Sequence, residues 1–286
     1  MAFEKIVFLI CRFGVFSKES DPMTIVHDCS SYIPNALTFV GLCLLCCFSV
    51  GMAYGVEGSK VDRDSVAADP NAKLIDVPYM NQLDVVYGCE AVSAAMVLRF
   101  YGVDITWKEF TDNFLITKPW REDENGQRFG PDPFAAYPGD PYKDDGPNCG
   151  YGCYAPCIAK SMNMVLPEDK RAVVTTGLKL CDLLPNYIDK GDPVLIWATM
   201  NMAPSRLTRS WTIDYVDENS PYRLGDTFTW LGNEHCLVLV GYDSDRYFFN
   251  DPYENHGLIA YERELIEERF REFGLMSVVV RKVKTK

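Results

Sequence analysis

The hydrophobic and polar positions divide the chain into an apolar N-terminal segment and a longer part in which helix and strand patterns follow one another. Residues 36–54 are nineteen consecutive residues without a charge, and a polar stretch over 56–69 follows them. This length is close to the ~20 residues that cross a bilayer core. No polar face recurs at helical spacing, which disfavours a buried helix of a soluble domain. The pattern therefore predicts export.

Two interpretations of the apolar segment stay open. Ala53 and Gly55 supply the small residues at −3 and −1 that a signal peptidase needs, whereas the length of the segment equally suits a retained membrane anchor. The residues before the apolar segment carry only three basic against four acidic side chains, so the positive charge expected there is weak. If translation began at Met23, the leader would have an ordinary length. Leucine precedes Cys43 and Cys46, which argues against lipid attachment there.

The rest of the chain predicts helices first and strands later, an order typical of an α+β domain with a largely antiparallel sheet. We expect residues 1–55 to be the N-terminal segment, 56–72 a linker and 73–286 one domain. Between 117 and 152 the chain carries six prolines and reads as a long inserted loop. The predicted helices are 88–101, 106–115, 155–164, 177–190 and 261–273, and the predicted strands are 74–80, 193–200, 211–216, 235–242, 246–250 and 276–283.

Composition narrows the classes of function. The 286 residues are 48% hydrophobic and 24% charged, which is typical of a globular protein. The net charge of −12 argues against a nucleic-acid binder and against a polybasic membrane-surface protein. Nothing in the sequence calls for a cofactor.

The cysteines after residue 55 raise the question of a metal site or a disulfide. Cys149, Cys153 and Cys157 recur every four residues, but glycines and a proline interrupt any helix there and no histidine lies nearby. We therefore predict no metal site and favour a disulfide in an oxidising exterior, with Cys181 as one candidate partner.

Cys89 occupies the first turn of the predicted helix 88–101. Free N–H groups and the positive end of the helix dipole favour a thiolate at such a position, as a nucleophile requires. Gln82 lies in a turn seven residues earlier, so its amide could donate a hydrogen bond to a developing oxyanion beside the sulfur.

A cysteine nucleophile needs a base, and only His235 and His256 follow residue 55. His235 begins the most hydrophobic predicted strand, which would hold its ring rigidly, so we prefer it to His256 in its turn. Asp251 ends the next strand. A hairpin through residues 243–245 would place Asp251 beside His235, where its carboxylate can fix the tautomer of the ring.

The order Gln82, Cys89, His235, Asp251 and the words PYMNQLDVVYGCEAVSAAMVLRFYG, GDPYKDDGPNCGYGCYAP and GNEHCLVLVGYDSDRYFFNDPY resemble the stand-alone branch of the bacteriocin-processing, double-glycine-leader cysteine peptidases. The resemblance runs from about 77 to 280 and implies a papain-like fold. It implies Cys89 as nucleophile, His235 as general base, Asp251 as the residue that orients His235, and Gln82 as oxyanion donor. Family members that cut leader peptides are fused to a transporter. This chain has no GxxxxGK[ST] motif, so that substrate does not carry over.

The sequence thus predicts an exported bacterial cysteine peptidase that acts at or outside the cell surface on a peptide or protein substrate, which could belong to the cell envelope. Two other functions stay open. The same triad could run acyl or amide transfer or cleave peptidoglycan amides, and the fold could be a catalytically silent binding domain.

Overall fold

The computed structural model describes residues 55–283. The apolar segment 36–54 lies outside the described residues. Between 55 and 283, no helix combines the length and the apolar character needed to cross a membrane.

Six α-helices and fourteen β-strands make up the described part of the chain. The helices are α1 (Arg63–Ala68), α2 (Cys89–Phe100), α3 (Trp107–Asn113), α4 (Ala155–Met162), α5 (Leu180–Asn186) and α6 (Arg263–Glu272). The strands are β1 (Ser59–Lys60), β2 (Lys73–Leu74), β3 (Thr117–Lys118), β4 (Arg121–Glu122), β5 (Arg128–Pro131), β6 (Tyr137–Pro138), β7 (Lys170–Val174), β8 (Val194–Thr199), β9 (Arg206–Tyr215), β10 (Thr227–Gly232), β11 (Glu234–Tyr242), β12 (Arg246–Asp251), β13 (Gly257–Glu262) and β14 (Ser277–Lys282).

The main sheet is antiparallel, in the order β1-β13-β12-β11-β8-β14-β7, and the short β2 also pairs with β11. The hairpin predicted through residues 243–245 is confirmed: β11 pairs with β12, with Val238 opposite Asn250. The α+β class and the mostly antiparallel sheet are therefore as the sequence predicts. The centre of the sheet is β11, whose N-terminal end carries His235.

The central strands bury both faces, and their side chains alternate between two cores. On β8, Leu195 and Trp197 pack in the core that contains α2 and α4. Val194 and Ile196 pack in the second core, which contains residues of α5 and α6. Successive side chains of a strand point to opposite faces, so a strand covered on both sides is hydrophobic at every position. This explains why β8 and β11 are the most continuous apolar runs after residue 55.

Helix α2 lies directly against the main sheet because its residues are small. Ala91, Ala94 and Ala95 are fully or almost fully buried. The hydroxyl of Ser93 donates to the carbonyl of Cys236 on β11 at 3.0 Å. This close approach fixes the N-terminus of α2, and with it Cys89, at the end of β11.

The insertion 117–152 is not the irregular loop that its prolines suggest. It contains β3, β4, β5 and β6, and β5 pairs in parallel with β9 in a second sheet of order β10-β9-β5-β4. The segment 135–137 is completely buried. Pro119, Pro131 and Pro138 lie at or directly after the ends of β3, β5 and β6, so they limit these strands and do not prevent them.

Four other predictions need correction. The segment 56–72 contains β1 and α1 and is not a bare linker, and the strand expected over 74–80 is only Lys73–Leu74. Strands β7, β10 and β13 were not predicted. The described cysteines, Cys89, Cys149, Cys153, Cys157, Cys181 and Cys236, are all free, so the expected disulfide is absent from this part of the chain. Cys181 is exposed on α5, whereas the three cysteines of the C-x₃-C-x₃-C stretch are buried.

A substitution at Gly241 on β11 tests how closely β2 packs against the main sheet. A Cβ at this position would lie 2.1 Å from the Lys73 carbonyl oxygen and 3.0 Å from the Leu74 Cα. Because the obstacle is backbone, we expect Gly241→Ala to destabilise the native state by about 3 kcal/mol, the upper end of the range for overpacking. Gly177→Ala, at φ +98° with open space around it, should cost only about 1 kcal/mol for its backbone conformation. Urea unfolding of both variants measures the difference, and equal losses would contradict the described packing.

Candidate active site

Cys89 is the first residue of α2, and its side chain is almost completely buried. The helix begins there because Gly88 is the N-cap, with a backbone conformation outside the helical region. A Cβ on Gly88 would meet the Val85 side chain at 2.5 Å, so the turn before the helix leaves no room for a larger residue. The backbone N–H of Cys89 lies in the first helical turn, where no intrahelical acceptor exists. It is therefore available to a substrate oxygen.

His235 and Asp251 are in direct contact. Nε2 of His235 lies 2.6 Å from Oδ1 of Asp251, and both side chains are about 1% exposed. Burial alone would raise the pKa of Asp251, but His235, His256 and the Tyr253 N–H together hold that pKa well below its usual range. Asp251 is therefore a buried carboxylate, and a carboxylate accepts the Nε2 proton. This leaves Nδ1 of His235 as the basic nitrogen.

The sulfur of Cys89 lies beside the residue that follows His235. The backbone N–H of Cys236 donates to Sγ at 3.4 Å. The thiol itself is directed to Oε2 of Glu90, 3.3 Å away. Among residues 55–283, Sγ makes its hydrogen bonds with these two groups and not with the imidazole. The structure thus brings Cys89 to the end of β11 that carries the His235–Asp251 pair.

Gln82 joins this site through its backbone. Its N–H donates to the carbonyl of Pro252, the residue after Asp251, at 2.9 Å. Its side-chain Nε2 donates to the Val86 carbonyl at 3.2 Å, and its Oε1 is buried without a partner. An amide nitrogen carries two protons, so one remains for a second acceptor. All four residues predicted from the sequence lie around one end of the main sheet.

Two acidic residues that the sequence analysis did not single out complete the surroundings of the sulfur. Glu90 is 1% exposed and Glu234 is 8% exposed. Sγ of Cys89 and one carboxylate oxygen of each glutamate lie within 4.8 Å of one another. In residues 55–283, these three groups are the set whose spacing could hold a metal ion. Glu90 directly follows Cys89 and Glu234 directly precedes His235, and this adjacency is the sequence signal that would have found them.

The buried carboxyls change the electrostatics at the sulfur. Burial raises the pKa of the Cys89 thiol well above its ordinary value, and the charges of Glu90 and Glu234 raise it further. Burial also raises the pKa of Glu90 to about 7 and that of Glu234 well above its usual range. The thiolate expected from the helix terminus is therefore opposed by stronger effects. In the free protein the thiol form of Cys89 is favoured.

His256, the histidine that sequence reasoning set aside, contacts the other oxygen of Asp251. Its Nδ1 lies 3.2 Å from Oδ2, so the single carboxylate lies between two imidazoles. The Tyr253 ring lies edge-on to both histidines, with ring centroids 6.1 Å from His235 and 5.3 Å from His256. His256 therefore orients Asp251 from the side opposite His235. Trp230, on β10, packs among Tyr154, Trp211 and Phe228 in the core.

The contact between His256 and Asp251 predicts that the stability of the native state depends on pH. The hydrogen bond that His256 donates to Asp251 raises the pKa of His256 above its ordinary value of about 6.5. A raised pKa in the folded state means that protonated His256 stabilises the native state below pH 6.5, and that this stabilisation is lost as the pH rises through the folded-state pKa. Wild type should therefore lose more stability than His256→Asn between pH 6 and pH 8 in urea unfolding. Parallel pH profiles would show that His256 does not bind Asp251.

Comparisons with known proteins find relatives in sequence and in fold. The model of the family described as "Peptidase_C39 like family" matches residues 74–278, which include all four predicted site residues. The uncharacterized protein YvpB of Bacillus subtilis strain 168 is 28% identical over 232 residues, covering 78% of this chain and 84% of YvpB.

Two solved structures cover most of this chain. A crystal structure described as a C39-like peptidase from Bacillus anthracis superposes with a TM-score of 0.60 at 25% identity, covering 74% of this chain and 99% of that one. A double-glycine-motif protease of an AMS/PCAT transporter, solved with its leader peptide, gives a TM-score of 0.37 at 14% identity over 74% of this chain and 95% of that one. The TM-score of the second structure is too low to support any inference about the substrate of this chain.

Proposed function

The chain belongs to the Peptidase C39-like family, and from this premise we propose that it is a cysteine peptidase that hydrolyses amide bonds through Cys89. One observation carries the proposal: the Cys89 sulfur at the head of α2 accepts from the N–H of Cys236, the residue that follows His235, at the end of β11 that carries the buried His235–Asp251 pair. A nucleophile, a base and a residue that orients the base are the three parts that such a reaction requires.

In the proposed acylation step, Sγ of Cys89 attacks the substrate carbonyl carbon while its proton passes to Nδ1 of His235. The S–H bond must first turn from Glu90 to the imidazole. Asp251 holds the Nε2 proton and stabilises the imidazolium that forms. The tetrahedral intermediate then collapses, the C–N bond breaks, and the imidazolium gives its proton to the leaving amine. Water deacylates the thioester with His235 as base.

We infer that two N–H groups stabilise the oxyanion of the intermediate. One is the backbone N–H of Cys89 at the helix terminus, and the other is the second Nε2 proton of Gln82. Donors that are fixed before the reaction stabilise developing charge without reorganisation. The buried position of Gln82 and its bond to Pro252 supply that fixation.

Gln82→Ala should lower kcat by about 10²–10³-fold, the usual loss for one oxyanion donor. KM should change little, because the interaction forms in the transition state. The matched control is Asn81→Ala, the neighbouring amide. Steady-state kinetics on a cleaved peptide measures both variants, and an unchanged kcat for Gln82→Ala would remove Gln82 from the mechanism.

The proposed reaction class is tested with the full chain and a peptide library. Mass spectrometry should find new N- and C-termini produced by wild type and none produced by Cys89→Ala. An added amine acceptor separates hydrolysis from transfer: hydrolysis gives free carboxylates, whereas an acyl transferase gives amides of the acceptor. Binding of library peptides without any cleavage would instead identify a silent binding domain.

We also propose that the protein acts at or outside the cell surface. The charge-free segment 36–54 supports this, because it suits a cleaved leader or a retained anchor. N-terminal sequencing of the protein from a bacterial host tests the proposal together with cell fractionation. A mature N-terminus at Val56, just after Gly55, or recovery in the membrane fraction supports it, and recovery of an uncut chain in the cytoplasm contradicts it.

A further inference from the structure

The buried carboxyls of Glu90 and Glu234 have no role in the proposed reaction, yet they lie against its nucleophile. Placing two like charges together in a protein interior is costly unless a counter-charge compensates them. Among residues 55–283, neither glutamate forms an ion pair with a lysine or an arginine. The pair therefore needs either shared protons or a cation.

The carboxyls of Glu90 and Glu234 have an acceptor oxygen that no hydrogen bond uses. Oε1 of Glu90 accepts from the Cys153 N–H at 2.5 Å, and its Oε2 accepts from the thiol. Oε1 of Glu234 is buried and has no hydrogen-bond partner. Buried polar atoms are almost always satisfied, so an orphaned carboxylate oxygen beside a thiol indicates an absent partner that donates or carries positive charge.

The Gly152 backbone packs directly against both carboxyls. A Cβ at this position would lie 2.6 Å from Oε1 of Glu90 and 2.7 Å from Oε2 of Glu234. Any other residue would clash with both side chains. Gly152 therefore brings the two carboxyls against the same stretch of backbone.

The distances suit a small cation. Sγ and Oε2 of Glu90 are 3.3 Å apart, close to the separation of roughly 3.6 Å between two ligands of a tetrahedral zinc ion. The full set spans at most 4.8 Å, which small rotations of the Glu234 side chain would close. One sulfur and two carboxylate oxygens are accepted zinc ligands, and they leave a fourth position for water.

We propose that Cys89, Glu90 and Glu234 form a binding site for a divalent cation of the zinc type, which holds the nucleophile inactive. Binding forms bonds from the metal to the sulfur and to one oxygen of each carboxylate, and it releases the thiol proton and any proton that the two carboxyls hold to solvent. The bound sulfur cannot attack a carbonyl, so the ion acts as a reversible blocker that a chelator removes. The site requires only that the three side chains meet, and it stands even if the chain is not a peptidase.

Titration of the full-length chain with Cd²⁺ tests the site, because a cadmium–thiolate bond gives an ultraviolet charge-transfer band. The Cys89→Ser protein should lack the part of the band that titrates first. Glu234→Gln should bind Cd²⁺ at least about tenfold more weakly, since it removes one ligand charge and keeps the shape. Glu124→Gln, an exposed glutamate outside the site, should bind like wild type.

His235→Ala provides the decisive comparison. If Cys89, Glu90 and Glu234 hold the ion, His235→Ala keeps the affinity of wild type and Glu234→Gln loses it. The reverse pattern would mean that a Cys89–His235 pair holds the ion and would overturn the proposal. A first-titrating band that persists in Cys89→Ser, or affinity unchanged by Glu234→Gln, would overturn it as well. None of these readouts depends on hydrolysis, so failure of the site and failure of the proposed peptidase activity are separable.

Discussion

Replacing Cys89 with alanine is expected to lower kcat for peptide hydrolysis by roughly 10⁴–10⁶-fold, the loss seen when a peptidase nucleophile is removed. The physical reason is that the acyl intermediate forms on the Cys89 sulfur, whereas Cys236, the thiol that follows His235, is completely buried in the core. The carboxyls of Glu90 and Glu234 are the other candidates near the imidazole, and burial favours their protonated, weakly nucleophilic forms.

The control for this variant is Cys181→Ser, which changes an exposed thiol far from the site. It should keep the activity of wild type. Because Cys89 is buried, thermal unfolding of Cys89→Ala must also be recorded. If a folded Cys89→Ala protein hydrolyses peptides as fast as wild type, a residue other than Cys89 is the nucleophile.

The second large effect is expected at the histidine–aspartate pair. His235→Ala should lower kcat by about 10²–10⁴-fold, because the thiol loses its proton acceptor. Asp251→Asn should cost up to about 10⁴-fold, because an amide can donate to Nε2 and so place the proton on the wrong ring nitrogen. The His235→Ala, Asp251→Asn double variant should lose little more than His235→Ala, since the two residues act as one unit.

Asp144→Asn, at an exposed aspartate of the insertion, is the matched control and should leave kcat unchanged. Additive losses in the double variant would mean that Asp251 acts independently of His235. A fully active Asp251→Asn protein would show that the 2.6 Å contact has no part in the reaction.

Local signals predicted the parts of the fold that depend on near neighbours. The helix predicted over 106–115 corresponds to α3, which begins with a capping box of Thr106 and Glu109 that has both of its hydrogen bonds. The helix predicted over 88–101 corresponds to α2, and the two apolar runs around 243–245 form the hairpin of β11 and β12. Each pattern lies within a few residues of the element that it forms, so the sequence contains it directly.

The second sheet could not be predicted in this way. Strand β5 pairs in parallel with β9, about eighty positions further along the chain, and local composition shows only the prolines and glycines between short strands. Strand β2 is similarly short, and its pairing with β11 is a tertiary contact. Pairing between distant segments decides such strands, and it overrides turn chemistry.

The candidate site likewise contains residues that the sequence predicts and residues that only the folded structure reveals. Cys89, His235, Asp251 and Gln82 were predicted because their residue types and order suit nucleophilic catalysis, and the structure places them around one end of the sheet. Glu90 and Glu234 were missed because acidic residues are usually solvated, and only the packing of α2 against β11 reveals that these two are buried. His256 was rejected as the base, and its contact with Asp251 depends on the turn after β12.

The central claim is that the sulfur of Cys89 forms a covalent bond to the acyl part of a substrate with the help of His235. Acid quenching of the reaction with a cleaved peptide, followed by mass spectrometry of the digested protein, tests it most directly. The account predicts a thioester adduct with the mass of the acyl fragment on the segment that contains Cys89, and no adduct in His235→Ala. Turnover with the adduct on another residue, or turnover with an unmodified Cys89 throughout, would contradict it.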